Sequence, residues 1–255
     1  MREVNYDDRQ HRVYARARAL SDETMAEWMR VFARNAPQRR PLTVLDLGSG
    51  TGRFTPALAA TFGGPVYGVE PSQRMRAAAE EHAAHDAVTY LDGAAEKIPL
   101  PSSSCDLVLL FLVLHHVRDQ EAAAAEVFRV LRPGGRLLIR SAFPERLPEL
   151  VWYDYFPGAR RIDEQVFPRM DHTIDLFTAT GLSFVTLEEV QQQVAGSLGE
   201  YADRLRLGGS STFERLTEEE ITEGFAALDA AVAAESRPRP VLEDSDVLVL
   251  ERPAA

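Results

Sequence analysis

Apolar residues in this chain come in two arrangements. Short continuous runs at 44–47, 65–70, 88–91, 106–111 and 136–141 predict strands, the fourth apolar enough to be buried on both faces. Between them the apolar residues recur at helical spacing. Ser21-Asp22-Glu23-Thr24 has the form of a helix start, and Met25, Trp28, Met29 and Phe32 then share one face. A second helix covers 121–131 and ends at the turn Arg132-Pro133-Gly134-Gly135. Farther on, 171–180 is a helix closed by Gly181, 183–194 and 246–251 read as strands, and two helices near 198–207 and 217–235 lie between those strands. Strands alternating with helices predict an α/β fold.

The stretch 44–54, Val-Leu-Asp-Leu-Gly-Ser-Gly-Thr-Gly-Arg-Phe, organises this pattern. An apolar strand runs into Gly48, Gly50 and Gly52, and a helix is expected from Arg53 or Phe54. That combination leaves bare N–H groups facing a nucleotide-sized ligand. The dinucleotide fingerprint places its third glycine three residues after the second, whereas here the glycines alternate and Asp46 stands two residues ahead of the first. Glu70 follows about twenty residues on, at a strand end, where a carboxylate accepts from both hydroxyls of a ribose. That placement serves NAD and S-adenosylmethionine equally.

The pattern D-x-G-x-G-x-G after an apolar strand resembles motif I of the class I S-adenosylmethionine-dependent methyltransferases, in particular their small-molecule, type 11-like members. Two later segments resemble the same family: Asp92-Gly93-Ala94-Ala95-Glu96-Lys97-Ile98-Pro99-Leu100, and Arg129-Val130-Leu131-Arg132-Pro133-Gly134-Gly135. The resemblance covers roughly residues 10–143 and lies in the order and spacing of separate segments. It implies a seven-stranded doubly wound Rossmann-like sheet, mostly parallel with the last strand antiparallel, helices on both faces and a helical, aromatic cap. Residues 1–40 would form an N-terminal helical cap, 41–143 the cofactor-binding core, and 144–255 the substrate-cap insertions with the last two strands.

The resemblance also implies site residues. Asp46, Gly48, Ser49, Gly50 and Gly52 would lie under the amino-acid end of S-adenosylmethionine, with Glu70 on its ribose. Pro71, Met75, Ala94, Ala95, Glu96 and Leu112 would line the rest of the cofactor, although Met75 serves equally well as helix core. Tyr14 and Arg18, one turn apart on a first helix, would close over the cofactor and meet its carboxylate; the alternative is a solvated arginine and a half-buried tyrosine. One departure stands out: the family's adenine-binding Asp falls at Ala94. Either Asp92 substitutes, or backbone groups of 94–96 hold adenine, and the second is favoured because a two-residue slip would misplace the other matches.

For the chemistry, His115 and His116 at the carboxyl end of the fourth strand are candidate bases, as is His172. The segment 144–170 gathers Trp152, Tyr153, Tyr155, Phe156 and Phe167, a wall suited to an aromatic or apolar small-molecule acceptor, or a means of fastening the insert to the sheet. Composition then trims the alternatives. A net charge of -11 argues against nucleic-acid and membrane partners. Cys105 is the single cysteine, and with no signal-peptide core at the start the expected location is the cytoplasm. No metal-ligand motif occurs, and Lys97 as the single lysine makes Schiff-base chemistry a poor fit. The expected activity is methyl transfer to oxygen, nitrogen or carbon of a small molecule, leaving S-adenosylhomocysteine. An NAD(P)-dependent oxidoreductase fails on glycine spacing and on the absence of a Tyr-x-x-x-Lys pair. A catalytically silent S-adenosylmethionine-binding subunit is the remaining alternative, and oligomeric state is left open.

Overall fold

The computed structural model describes residues 20–147 and 149–254. Seven strands form one sheet: β1 (Leu42–Leu47), β2 (Gly63–Val69), β3 (Val88–Leu91), β4 (Cys105–Phe111), β5 (Leu131–Ser141), β6 (Ser183–Ala195) and β7 (Val241–Glu251). Their spatial order is β3-β2-β1-β4-β5-β7-β6, with β7 alone running antiparallel to its neighbours. This is the doubly wound sheet expected from the sequence. The chain reverses its direction of winding between β1 and β4, and in such sheets the crevice outside the strand ends at that switch is where ligands bind.

Side-chain alternation along the strands builds two cores. On β4, Val108 and Leu110 face one side with Leu45, Leu47, Leu137 and Ile139, while Leu107 and Leu109 face the other with Val44, Leu138 and Val249. The first side is covered by α4 (Gln120–Val130), whose Ala123, Ala124, Val127 and Val130 recur at helical spacing, and by α6 (Met170–Thr178). The second is covered by α1 (Asp22–Asn35), through Trp28, Val31 and Phe32, and by α2 (Thr55–Phe62), through Leu58, Ala59 and Phe62. Ser21 caps α1 by accepting the Thr24 N–H, as its sequence pattern predicts. The remaining core helix, α3 (Gln73–His82), is capped in the same way by Ser72.

Two strands begin five residues before the apolar pattern indicates. β5 begins at Leu131 rather than 136, because Leu131 pairs with Cys105 before the Pro-Gly-Gly segment is accommodated as a register shift. Gly134 takes a φ of 75° there, and its N–H donates to the Arg252 carbonyl. β7 begins at Val241 rather than 246. β5 ends where Ser141 faces Asp246, so residues 241–245 pair with β6 alone and stand above the carboxyl edge of the sheet as a two-stranded ribbon. Those residues need no apolar run, since neither face lies between sheet layers.

Around that ribbon a third apolar cluster forms the cap. It joins Trp152, Tyr153, Phe156, Val194, Tyr201, Phe213 and Leu228, from the 151–154 turn, α5 (Pro157–Val166), β6, α7 (Leu198–Arg206) and α8 (Glu218–Ala234). Thr217 and Glu220 close the start of α8 with a reciprocal capping box. Among the described residues no helix is long and apolar enough to cross a membrane.

Candidate active site

The glycine loop hangs from the end of β2. The Gly48 and Ser49 N–H groups both donate to the Val69 carbonyl, at 2.7 and 3.2 Å, and Gly48, Gly50 and Gly52 take φ values of 75°, 57° and 76°. Only glycine adopts that sequence of left-handed turns without strain. Glu70 locks the loop to the strand that follows it: its Oε2 accepts the Gly50 N–H at 3.1 Å and its Oε1 the Ser72 N–H at 2.9 Å. Burial pushes the Glu70 carboxyl up, opposed by those two backbone donors.

Beneath the loop, Asp46 is 4% exposed and accepts the Thr55 hydroxyl at 2.7 Å. Burial raises its carboxyl to about 6, against the Thr55 hydrogen bond and the Arg53 charge. The folded state thus holds the proton more tightly than the unfolded chain. Stability from this group is complete below the unfolded value of 3.8 and is lost as pH rises through about 6. Asp46→Asn keeps an acceptor for Thr55 and escapes that loss. In urea titrations the variant is expected to gain on the wild type by up to about 3 kcal/mol between about pH 4 and pH 8. A difference that stays flat with pH would show that Asp46 does not carry the raised carboxyl.

The neighbouring segment is fixed from below. Arg76 donates to the Glu70 carbonyl at 2.7 Å and pairs with Asp92 at 2.8 Å, so the Asp92 carboxylate is engaged at the surface. Met75 is 2% exposed, and Pro71 is exposed. The Ala94 carbonyl accepts the Lys97 N–H, Glu126 accepts the Ile98 N–H, and Arg129 donates to the Ile98 and Leu100 carbonyls. Ala95 is buried in the core. The Glu96 carboxylate accepts the backbone N–H groups of Arg118 and Asp119 through Oε1, and so braces the chain after the histidine pair.

Residues 112–116 form the wall between this crevice and a cavity of about 580 Å³. Leu112, at the end of β4, has a φ of 54° and donates its N–H to the Arg140 carbonyl at 2.9 Å. A left-handed leucine costs about 1–2 kcal/mol and is kept where the surroundings enforce it. Val113 packs so closely on the glycine loop that a Cβ on Gly48 would lie 2.4 Å from its Cγ2. The next turn presents His115 and His116, rings 3.9 Å apart, with Phe167 4.4 Å from His115. Leu112 and both histidines line the cavity.

The cavity's other walls come from β5, the 145–153 segment, α5, the β6–β7 ribbon, α7 and the 209–213 loop. They are richer in charge than an aromatic insert suggests. Trp152, Tyr153 and Phe167 do reach the cavity, but Phe156 turns into the cap core against Phe213 and Phe225. Arg140, 8% exposed, lies over the Trp28 ring and donates to Ser245. Arg146 pairs with Asp246. His172 lies elsewhere: α6 buries Thr173, Leu176 and Phe177, which leaves His172 exposed and off the cavity. Tyr14 and Arg18 lie outside the described residues. Sequence reasoning missed Arg140, whose signal is a charge near the end of an apolar strand, as well as Asp163, Tyr201 and Glu243, which carry no signal in the sequence. Among the described residues no group of three or more His, Cys, Asp or Glu is placed to hold a metal ion.

The family described as "Methyltransferase domain" matches residues 45–139. An uncharacterized methyltransferase of Geobacillus kaustophilus is 31% identical over 149 residues, 55% of this chain and 68% of that protein. The ubiquinone/menaquinone biosynthesis C-methyltransferase UbiE of Acidiphilium cryptum is 35% identical over 113 residues, and the chain spans 45% of that enzyme's length. Among solved structures, a candidate methyltransferase from an antibiotic biosynthesis pathway of Anabaena variabilis superposes with a TM-score of 0.70 at 21% identity, over 88% of this chain and 96% of that one.

Proposed function

The chain belongs to the class I S-adenosylmethionine-dependent methyltransferases, and from that premise we propose that it methylates an oxygen, nitrogen or carbon nucleophile of a small molecule held in the cavity. The observation that carries this reading is the shared wall. Val113 touches the glycine loop while Leu112, His115 and His116 line the cavity, so one short segment borders both compartments.

The crevice fits the cofactor. The Ser49 hydroxyl on the glycine loop is buried and has no hydrogen-bond partner among the described residues, a polar group waiting beside a polar ligand. Glu70 keeps acceptor lone pairs beyond the two that bind Gly50 and Ser72, enough for ribose hydroxyls. With Asp92 engaged by Arg76, backbone groups of 94–96 are left to meet adenine. When bound, S-adenosylmethionine supplies a methyl already electrophilic on its sulfonium. The chain's own work is then to align the acceptor in line with that bond and to exclude water. His116 or His115 takes a proton from an oxygen or carbon acceptor, and a neutral amine needs neither.

Calorimetry with S-adenosylhomocysteine followed by transfer from methyl-labelled cofactor into the low-mass fraction of a cell extract tests the proposal. Binding and label in small molecules are expected. For an oxygen or carbon acceptor, His116→Ala should lower kcat by about 100-fold and leave S-adenosylhomocysteine affinity unchanged. Tight binding with no transfer across extracts would instead assign a binding subunit.

A further inference from the structure

We infer that Gln192 is a specificity-determining residue of the cavity, whose side-chain N–H2 group receives a carbonyl oxygen of the methyl acceptor. The inference rests on the methyltransferase reading only in taking the cavity as the acceptor's place.

Gln191, Gln192 and Gln193 follow one another on β6, and strand alternation separates them. Gln191 and Gln193 are exposed, whereas Gln192 shares the buried face with Val190 and Val194. Val190 belongs to the core under α1 and Val194 to the cap cluster, so Gln192 stands where those two cores meet. It lines the cavity and is 7% exposed. An amide at an inward position between two valines costs free energy unless its polar atoms are met. The oxygen is met: the Nε1–H of Trp28, a fully buried side chain of α1, donates to Gln192 Oε1 at 2.9 Å.

That bond fixes which way the amide faces. An indole N–H donates and cannot accept, so the amide must offer it oxygen, and the N–H2 group is turned away from Trp28. Among the described residues nothing accepts from that group. Buried polar groups are as a rule paired, so whatever occupies the cavity beside Gln192 must supply the acceptor. A carbonyl oxygen suits two N–H donors, since it carries two lone pairs and no proton of its own. The same indole places a second cavity-lining donor. The Arg140 guanidinium lies over its ring at 4.6 Å, and the Arg140 carbonyl accepts the Leu112 N–H of the wall beside the glycine loop. Trp28 is thus the positioning residue of this subsite, with Gln192 at its N–H edge and Arg140 on its face. The carbonyl of a ketone and that of a carboxylate share this chemistry.

The test uses the full chain loaded with S-adenosylhomocysteine and three probes of one shape: acetophenone, benzoate, and α-methylstyrene, which has CH2 in place of the acetophenone oxygen. Each is titrated while the side-chain N–H signals of isotope-labelled protein are followed by NMR. Acetophenone, benzoate or both should move the Gln192 and Trp152 signals together, because Trp152 also lines the cavity; the tighter of the two tells a neutral carbonyl from a carboxylate. Gln192→Glu keeps an oxygen for Trp28 and removes the donors. It should weaken acetophenone binding by about fivefold and leave α-methylstyrene within about twofold, whereas a residue that merely satisfied Trp28 would leave both unchanged. Glu243 stands opposite position 192, so if the glutamate variant fails to fold, Gln192→Met decides by the same ratio. The inference is overturned by an unchanged acetophenone affinity in the folded variant, by an equal loss for α-methylstyrene, or by no binding of any probe. Movement of Gln192 without Trp152 also overturns it, since that places the probe in the smaller hollow that Gln192 and Trp28 border beside α1. Failure of S-adenosylhomocysteine to bind is seen first and counts against the methyltransferase reading alone; the probes are then read on the chain without it, by the same criteria.

Discussion

Glu70→Ala is expected to weaken S-adenosylhomocysteine binding by about 100-fold, the largest effect of any single side-chain removal in the crevice. Two losses combine. The carboxylate that would receive the ribose hydroxyls disappears, and hydrogen bonds to a charged group are worth roughly 1.5–3 kcal/mol. At the same time the Gly50 and Ser72 N–H groups lose their acceptor, so the loop is tied to the end of β2 only through the Gly48 and Ser49 N–H groups on the Val69 carbonyl. Glu70→Gln, which retains one acceptor oxygen, should fall between, at about tenfold. Calorimetry against S-adenosylhomocysteine, with a thermal melt to confirm folding, measures both. Should the alanine variant bind within threefold of the wild type, the nucleoside does not lie on Glu70 and the placement of the crevice is wrong.

Gly48→Ala tests the shared wall. A Cβ at a φ of 75° costs about 1–2 kcal/mol by itself, and its approach to 2.4 Å of Val113 Cγ2 adds about 1–3 kcal/mol of overpacking. A loss of about 3 kcal/mol is therefore expected in urea denaturation. The stiffness of a β-branched side chain directs the displacement into the backbone at 112–116, so kcat should fall in the protein that remains folded. Combining the change with Val113→Ala relieves the clash but not the strained φ. The double variant should be more stable than the sum of the two single changes by about 1–2 kcal/mol. Strict additivity would mean that loop and wall are not in contact, and the connection between crevice and cavity would lose its basis.

Most of the sheet was legible because each buried strand writes itself as an apolar run, and β3 was read to the residue. The glycine loop was legible for a related reason: its backbone takes left-handed φ values at Gly48, Gly50 and Gly52, which few residue types satisfy, and Glu70 at the strand end accepts from it. The cavity was not. Asp163 sits in a helix whose exposed face is equally polar, and Glu243 in a stretch that looks like a loop until β6 pairs with it. Their places in the cavity wall come with contacts across about forty or more residues, to Thr212 and Tyr201, and no local pattern encodes those. Glu96 shows another contact that the local pattern does not write: its carboxylate accepts from the backbone of Arg118 and Asp119, more than twenty residues on.

The strand order carries a consequence for biosynthesis. β7, the last strand to be made, lies between β5 and β6, so β6 has no partner in the sheet until residue 251 has left the ribosome. Strands β1 to β5 are complete by residue 141, and that part of the sheet can begin to fold while the rest is still being synthesised. During that interval the apolar faces of Val108 and Ile139 have only part of their cover, and the exposed edge of β5 is a site for pairing with another nascent chain. A ribosome stalled in the final turn of α8 would therefore display the glycine loop and Glu70 without the β6–β7 ribbon that walls the cavity.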